Sequence, residues 1–180
     1  MARYASLVAA YSLPAGLAWA VLGVLLNALP LSHVALVLIV IYCFCYGSSE
    51  TIGLSGPASP GSSWQVPQSL VAGVSRRRRI LVWGAVLGPG FATRNPYAGF
   101  GLLLLVVAAL GSVSMGALAA AAMGIAHGTG RALAMLRDAR SIDGADYLHS
   151  VLKSMYWRTC DGLILLVIGS VAVTSYMHIF

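Results

Sequence analysis

Residues 87–100 read LGPGFATRNPYAGF and bring together groups that an apolar stretch does not normally hold. Arg94 is a fixed cation with a planar fork of donors, flanked by the hydroxyl of Thr93 and the amide of Asn95. Pro89 and Pro96 each remove a helical N–H donor, and Gly88 and Gly90 accept backbone angles that other residues resist. The chemistry on offer is non-covalent: attraction of an anion, repulsion of a cation, or passage of a small solute or proton along freed backbone groups. Two more ionisable residues are candidates for the same pathway. Glu50 reads as the acidic residue well inside an apolar run, placed either to pair with Arg94 or to sit at the cytoplasmic rim. His127, within AHGTGRA, suits a proton relay, a metal ligand or a hydrogen bond between helices.

Other chemistry is not signalled. His33, His149 and His178 are scattered without ligand spacing, so no metal and no cofactor is expected. There is no GxSxG, HExxH or CxxC motif and no phosphate-cradling loop, so an enzyme is the less favoured reading and no catalytic residue is named. Cys43, Cys45 and Cys160 cannot all pair with one another. The CFC spacing puts the first two on nearly opposite faces of a helix, and all three read as buried free thiols.

The elements that must position these groups follow from the solvent. Hydrophobic residues make up 59% of the 180, charged residues only 9%, and the mean hydropathy is +0.85. Soluble domains carry roughly 25% charge, so the composition specifies an integral membrane protein. The apolar runs are continuous rather than alternating, which selects helices over barrel strands. The net charge of +6 is assigned to cytoplasmic loops and lipid headgroups, not to nucleic acid. At about 20 residues per span, five transmembrane helices fit, at approximately 5–29, 34–54, 80–110, 113–136 and 160–180. The N-terminal run, though signal-like, continues too far and reads as a retained first helix.

Ile80 to Leu136 could hold three short spans, but that would carry Arg131, Arg137, Arg140, Lys153 and Arg158 to the face opposite Arg76–Arg79. Two long spans, divided at Gly111-Ser112, keep both basic loops on the cytoplasmic side. The third span is then the broken one, with Arg94 near its middle. A buried arginine costs about 2.5–3.5 kcal/mol on insertion scales, which calls for water, a partner or an anion beside it. The alternative is an outer loop dipping inward with Arg94 at the headgroups. In the fourth span Gly116, Ala120, Gly124, Gly128 and Ala132 recur every four residues, a smooth stripe for close helix packing. Leu148, Val151, Leu152 and Met155 give one apolar face to a cytoplasmic interfacial helix at about 143–158, with Asp143 as its N-cap. The model is all-α, in the cell membrane, N-terminus inside and C-terminus outside.

The organisation resembles the transmembrane domain of the DsbD/CcdA electron carriers. That resemblance implies six helices in two inverted three-helix repeats, the first helix of each broken at a Pro/Gly-rich motif with a redox cysteine. ILVWGAVLGPGFATRNPYAGFGLLLL looks like the broken helix of the second repeat, and GSVSMGALAAAAMGIAHGTGRALAML is similar to the helix after it. WRTCDGLILLVIGSVAV resembles the last helix; SLPAGLAWAVLGVLLNALP and VALVLIVIYCFCYG resemble the last two of the first repeat. The first helix of repeat one is missing, and GPGFATRNP holds no cysteine. Thiol exchange needs two sulfurs, so the relay is not carried over to this chain. What remains is a degenerate carrier-like protein, alone or as a homo-oligomer, or a non-catalytic subunit of a larger membrane complex; the thiol relay ranks third.

Overall fold

Chain breakers in the sequence, Pro30, Gly53, Pro89 and Gly111, mark where the first four helices stop. A computed structural model describes residues 2–53, 72–90, 99–138 and 147–177. It shows six helices: α1 (Ala2–Asn27), α2 (Ser32–Ile52), α3 (Arg76–Leu87), α4 (Gly99–Ala109), α5 (Val113–Asp138) and α6 (Tyr147–Met177). No strand occurs among the described residues. Gly53 ends α2 at φ 69° and Gly111 turns the chain between α4 and α5 at φ 63°, a left-handed conformation that costs glycine nothing.

Among the described residues, three segments are long and apolar enough to cross a membrane: Ala5–Asn27, Ser32–Ile52 and Met155–Thr174. Five were expected, and the differences have local causes. The stretch 80–110 is not one helix: α3 stops before Pro89, and α4, apolar but only 11 residues long, starts at Gly99. α5 is as long as α1, but its glycines, alanines and His127 make it less apolar. The expected interfacial helix and last span are one continuous α6 from Tyr147. Between Tyr147 and Asp161 there is neither proline nor glycine to interrupt it. Asp143, the expected N-cap, lies outside the described residues.

Alternate helices form two compact units: α1, α3 and α5 in the first, α2, α4 and α6 in the second. In the first unit, α1 turns one face inward: Tyr11, Ala15, Trp19, Gly23 and Asn27 are buried. Leu13, Leu17, Val21 and Leu25 point outward. Small and polar groups inside with large apolar groups outside is the arrangement a lipid solvent selects, because helices then associate by close packing and internal hydrogen bonds. The stripe of α5 faces α1: Gly128 lies against Tyr11 and Ser12, Gly124 against Ala15 and Trp19, and Gly116 against Asn27, so the two helices run antiparallel. Ala120 and Ala132, in the same stripe, are fully buried. A Cβ on Gly124 would lie 2.5 Å from the Ala15 carbonyl oxygen, and any larger residue there would force the helices apart.

In the second unit α2 and α6 also run antiparallel, with Gly169 against Cys43 and Phe44, and Gly162 against Gly47 and Thr51. Ile39, Cys43, Leu102 and Leu165 form its core, joining α2, α4 and α6.

Candidate functional site at the end of a half helix

α3 is too short to cross a bilayer: 12 residues rise about 18 Å, against a hydrocarbon core of about 30 Å. It stops because Pro89 has no N–H to return to Ala85. Gly88 still closes a helical bond to the Gly84 carbonyl (2.8 Å). Gly90, at φ 83°, then turns the chain away, its N–H donating weakly to the Leu87 carbonyl at 3.2 Å. α1 receives this end closely. Pro14 has no N–H to give the Ala10 carbonyl, and that carbonyl lies directly against Gly84, where a side chain could not fit. Gly88 is likewise seated on the Tyr11 carbonyl.

Two long side chains complete the end of α3. Arg131 of α5 donates Nη1–H to the Leu87 carbonyl oxygen at 2.8 Å. Trp19 of α1, fully buried, donates Nε1–H to the Pro89 carbonyl oxygen at 2.9 Å. The C-terminal end of a helix carries about half a negative charge, so a guanidinium there is attracted as well as hydrogen-bonded. Such a bond to a charged donor contributes about 1.5–3 kcal/mol, which offsets part of the cost of taking the guanidinium out of water. His127 sits one turn before Arg131 on the same helix, with its Nε2 buried; Tyr11 and Ser12 are buried on α1.

Of the residues singled out in the sequence, Gly88, Pro89 and Gly90 form this helix end, and His127 shares α5 with the arginine that holds it. Thr93, Arg94, Asn95 and Pro96 lie outside the described residues. Arg94, the partner expected from the sequence, lies outside the described residues; Glu50 belongs to the second unit and pairs there with Arg158. Its two carboxylate oxygens accept from Arg158 Nε (2.6 Å) and Nη2 (3.2 Å), a bidentate geometry that matches the guanidinium fork. Glu50 is nonetheless buried, at 7% exposure.

Arg131, Trp19, Arg158 and Asp161 are the functional candidates that sequence reasoning missed. Charge counting assigned both arginines to a cytoplasmic loop, although Arg131 stands only four residues after His127 in the small-residue stripe. Asp161 was passed over for Glu50, yet it lies within the apolar segment of α6. Its Oδ2 accepts the Gly99 N–H, the first of α4, at 3.0 Å. The carbonyl end of α3 thus meets a cation, and the amide end of α4 meets an anion, each complementary to the helix dipole.

Among the described residues no group of three or more His, Cys, Asp or Glu could hold a metal ion. Cys43, Cys45 and Cys160 are free thiols, but of the three only Cys43 is buried as expected; Cys160 is half-buried and Cys45 exposed, because it points away from the face of α2 that holds Cys43. No protein-family model, no curated protein and no solved structure matches the chain.

Proposed function

We propose that this chain is a multi-pass membrane protein with a degenerate carrier-like fold, which handles a small solute, ion or proton at the interrupted third of five spans. The observation that carries the reading is the end of α3, where the carbonyls of Leu87 and Pro89 are held by Arg131 and Trp19. Backbone that leaves the helix inside a span is tolerated only where it is enclosed by protein or lines a watered cavity, and interrupted helices of this kind commonly build transport sites. Arg94, with Thr93 and Asn95, supplies the fixed charge of the pathway, and His127 a further proton-accepting group. Support for five spans comes from each unit separately: α1 runs antiparallel to α5, and α2 to α6, as that order requires. The N-terminus and both basic loops are cytoplasmic and the C-terminus is outside.

Cysteine labelling tests the reading. In a background lacking Cys43, Cys45 and Cys160, single cysteines at Thr93, Arg94 and Asn95 are exposed to a membrane-impermeant thiol reagent from either face. A carrier pathway predicts labelling from both faces. Labelling from the outside alone would make the segment an outer loop with Arg94 among the headgroups, and end the carrier reading.

The second reading, a non-catalytic subunit of a larger complex, draws on α6, whose Leu163, Ile164, Val167 and Val171 are exposed and would suit another protein as well as lipid. Copurification separates the two: a carrier is recovered alone or with copies of itself, a subunit with fixed partners.

A further inference from the structure

Near the start of the apolar segment of α6, three consecutive residues differ in chemistry: Tyr156, Trp157 and Arg158. Helical geometry sorts them, because residues seven apart lie nearly in line along a helix. Trp157 heads the row of Ile164 and Val171, and Tyr156 heads that of Leu163; all are exposed. Arg158 heads the row of Leu165, which is buried in the core shared with α2 and α4. The guanidinium therefore stands at the edge between the face packed on α2 and the face left open.

The aromatic pair fixes a depth. Met155–Thr174 has 20 residues and rises about 30 Å, the thickness of a hydrocarbon core. Its second and third residues then lie at one boundary of the bilayer, the level at which Tyr and Trp settle. Their rings meet edge to face at 5.5 Å.

Arg158 is built to receive something at that level. It gives Glu50 one N–H from Nε and one from Nη2, two of the five that a guanidinium carries. The end-on edge, with one N–H from each Nη, is a second fork of the kind that matches two oxygens of a phosphate. Glu50 is buried while Arg158 is partly exposed, so the carboxylate is the fixed member and sets the plane of the guanidinium. A donor fork ordered in advance loses little freedom when a ligand arrives. Since Glu50 already balances the charge, recognition here is by geometry more than by net charge.

We propose that Arg158, oriented by Glu50 and flanked by Tyr156 and Trp157, binds the phosphate of a phospholipid headgroup. The acyl chains of that lipid lie along the exposed rows that run from Tyr156 and Trp157. The proposal goes beyond the carrier reading and rests only on its membrane part.

The test uses the full chain purified in a non-ionic detergent. It is titrated with phosphatidylglycerol or with diacylglycerol of the same chains, and native mass spectrometry counts the lipids retained. The wild type should hold one phosphatidylglycerol about tenfold more tightly than diacylglycerol, the step expected for one charge-assisted contact at a partly exposed site. Arg158→Lys keeps a cation for Glu50 but has no fork; it should lose that preference while its melting temperature holds. Glu50→Gln combined with Arg158→Gln strands no charge and should lose it as well. Equal retention of the two lipids by the wild type, or an undiminished preference in either variant, overturns the proposal. Displacement of the lipid by millimolar inorganic phosphate overturns it too, since the site would then belong to the free anion. Should neither variant fold, the diacylglycerol and phosphate arms on the wild type decide. Recovery of the chain from sedimented membranes tests the membrane reading, and labelling at Thr93–Asn95 the carrier reading, so the three failures are told apart.

Discussion

Arg131 is an arginine whose removal need not unfold anything. On the proposed membrane reading, burying it costs about 2.5–3.5 kcal/mol, and its bond to the Leu87 carbonyl at 2.8 Å returns about 1.5–3 kcal/mol, aided by the helix dipole. These nearly cancel. Arg131→Met should therefore change the thermal stability of the purified protein by less than about 1 kcal/mol, while amide exchange over 84–88 rises because the end of α3 has lost its clasp. A loss of several kcal/mol would show instead that the guanidinium supports more of the unit than this one helix end. The Glu50–Arg158 pair behaves differently, because its members differ in exposure: 8% for the Glu50 side chain and 42% for that of Arg158. Arg158→Met strands a buried carboxylate and should cost about 3 kcal/mol, the low end for breaking a buried pair because solvent reaches one partner. Glu50→Gln leaves a guanidinium that can rehydrate, and should cost about 1 kcal/mol. Melting curves of the two variants check the order; equal losses would contradict it.

At the scale of elements, α5 offers an internal control on why its stripe is made of small residues. Gly124→Ala places a methyl group 2.5 Å from the Ala15 carbonyl and 2.8 Å from Trp19, and should destabilise by about 1–3 kcal/mol. Gly130→Ala, two turns further on, meets nothing within 4 Å and should stabilise by about 0.5–1 kcal/mol through helix propensity alone. Chemical denaturation of both variants in the same detergent decides whether packing or propensity governs this helix. The helical class was legible in the sequence because apolar runs in a membrane admit few alternatives, and so was the stop of a helix before Pro89, because a missing N–H is a local fact. Where a side chain ends was not legible. Charge counting places Arg131 near a face but cannot say that it bends back to Leu87, 44 positions earlier. Glu50 reads in the sequence as a partner for Arg94 or a residue of the cytoplasmic rim, and its pairing with Arg158, 108 positions later, needs tertiary structure to be seen. α6 was divided in the reading because an amphipathic stretch and an apolar stretch look like separate elements when nothing in one dimension shows that the backbone passes smoothly from one to the other.

For the molecule as a whole, the five-span topology predicts that cysteines introduced at Ser69 and Ser141 react only from the cytoplasm and one at Ser112 only from outside. Cytoplasmic labelling at Ser112 would exclude that topology. The alternation of helices between units gives a further expectation. A chain cut between 57 and 58 leaves α1 and α2 on one piece and the other four helices on the second, so each unit draws on both pieces. The two pieces, co-expressed, should copurify; independent migration would mean that the units do not hold the chain together.

The same alternation sets a timetable for biosynthesis. Trp19 is synthesised 70 residues before the carbonyl that accepts its N–H, and Glu50 waits 108 residues for Arg158. At about 5–20 residues per second the second interval is roughly 5–20 s, long compared with helix formation. During it, α1 and α2 are made before α5 and α6, the helices that their buried faces pack against. On the proposed membrane reading, the insertion machinery would shelter the buried polar groups Asn27 and Glu50 until those partners arrive. Slowing synthesis downstream of α2 should make this chain unusually prone to degradation before it is complete.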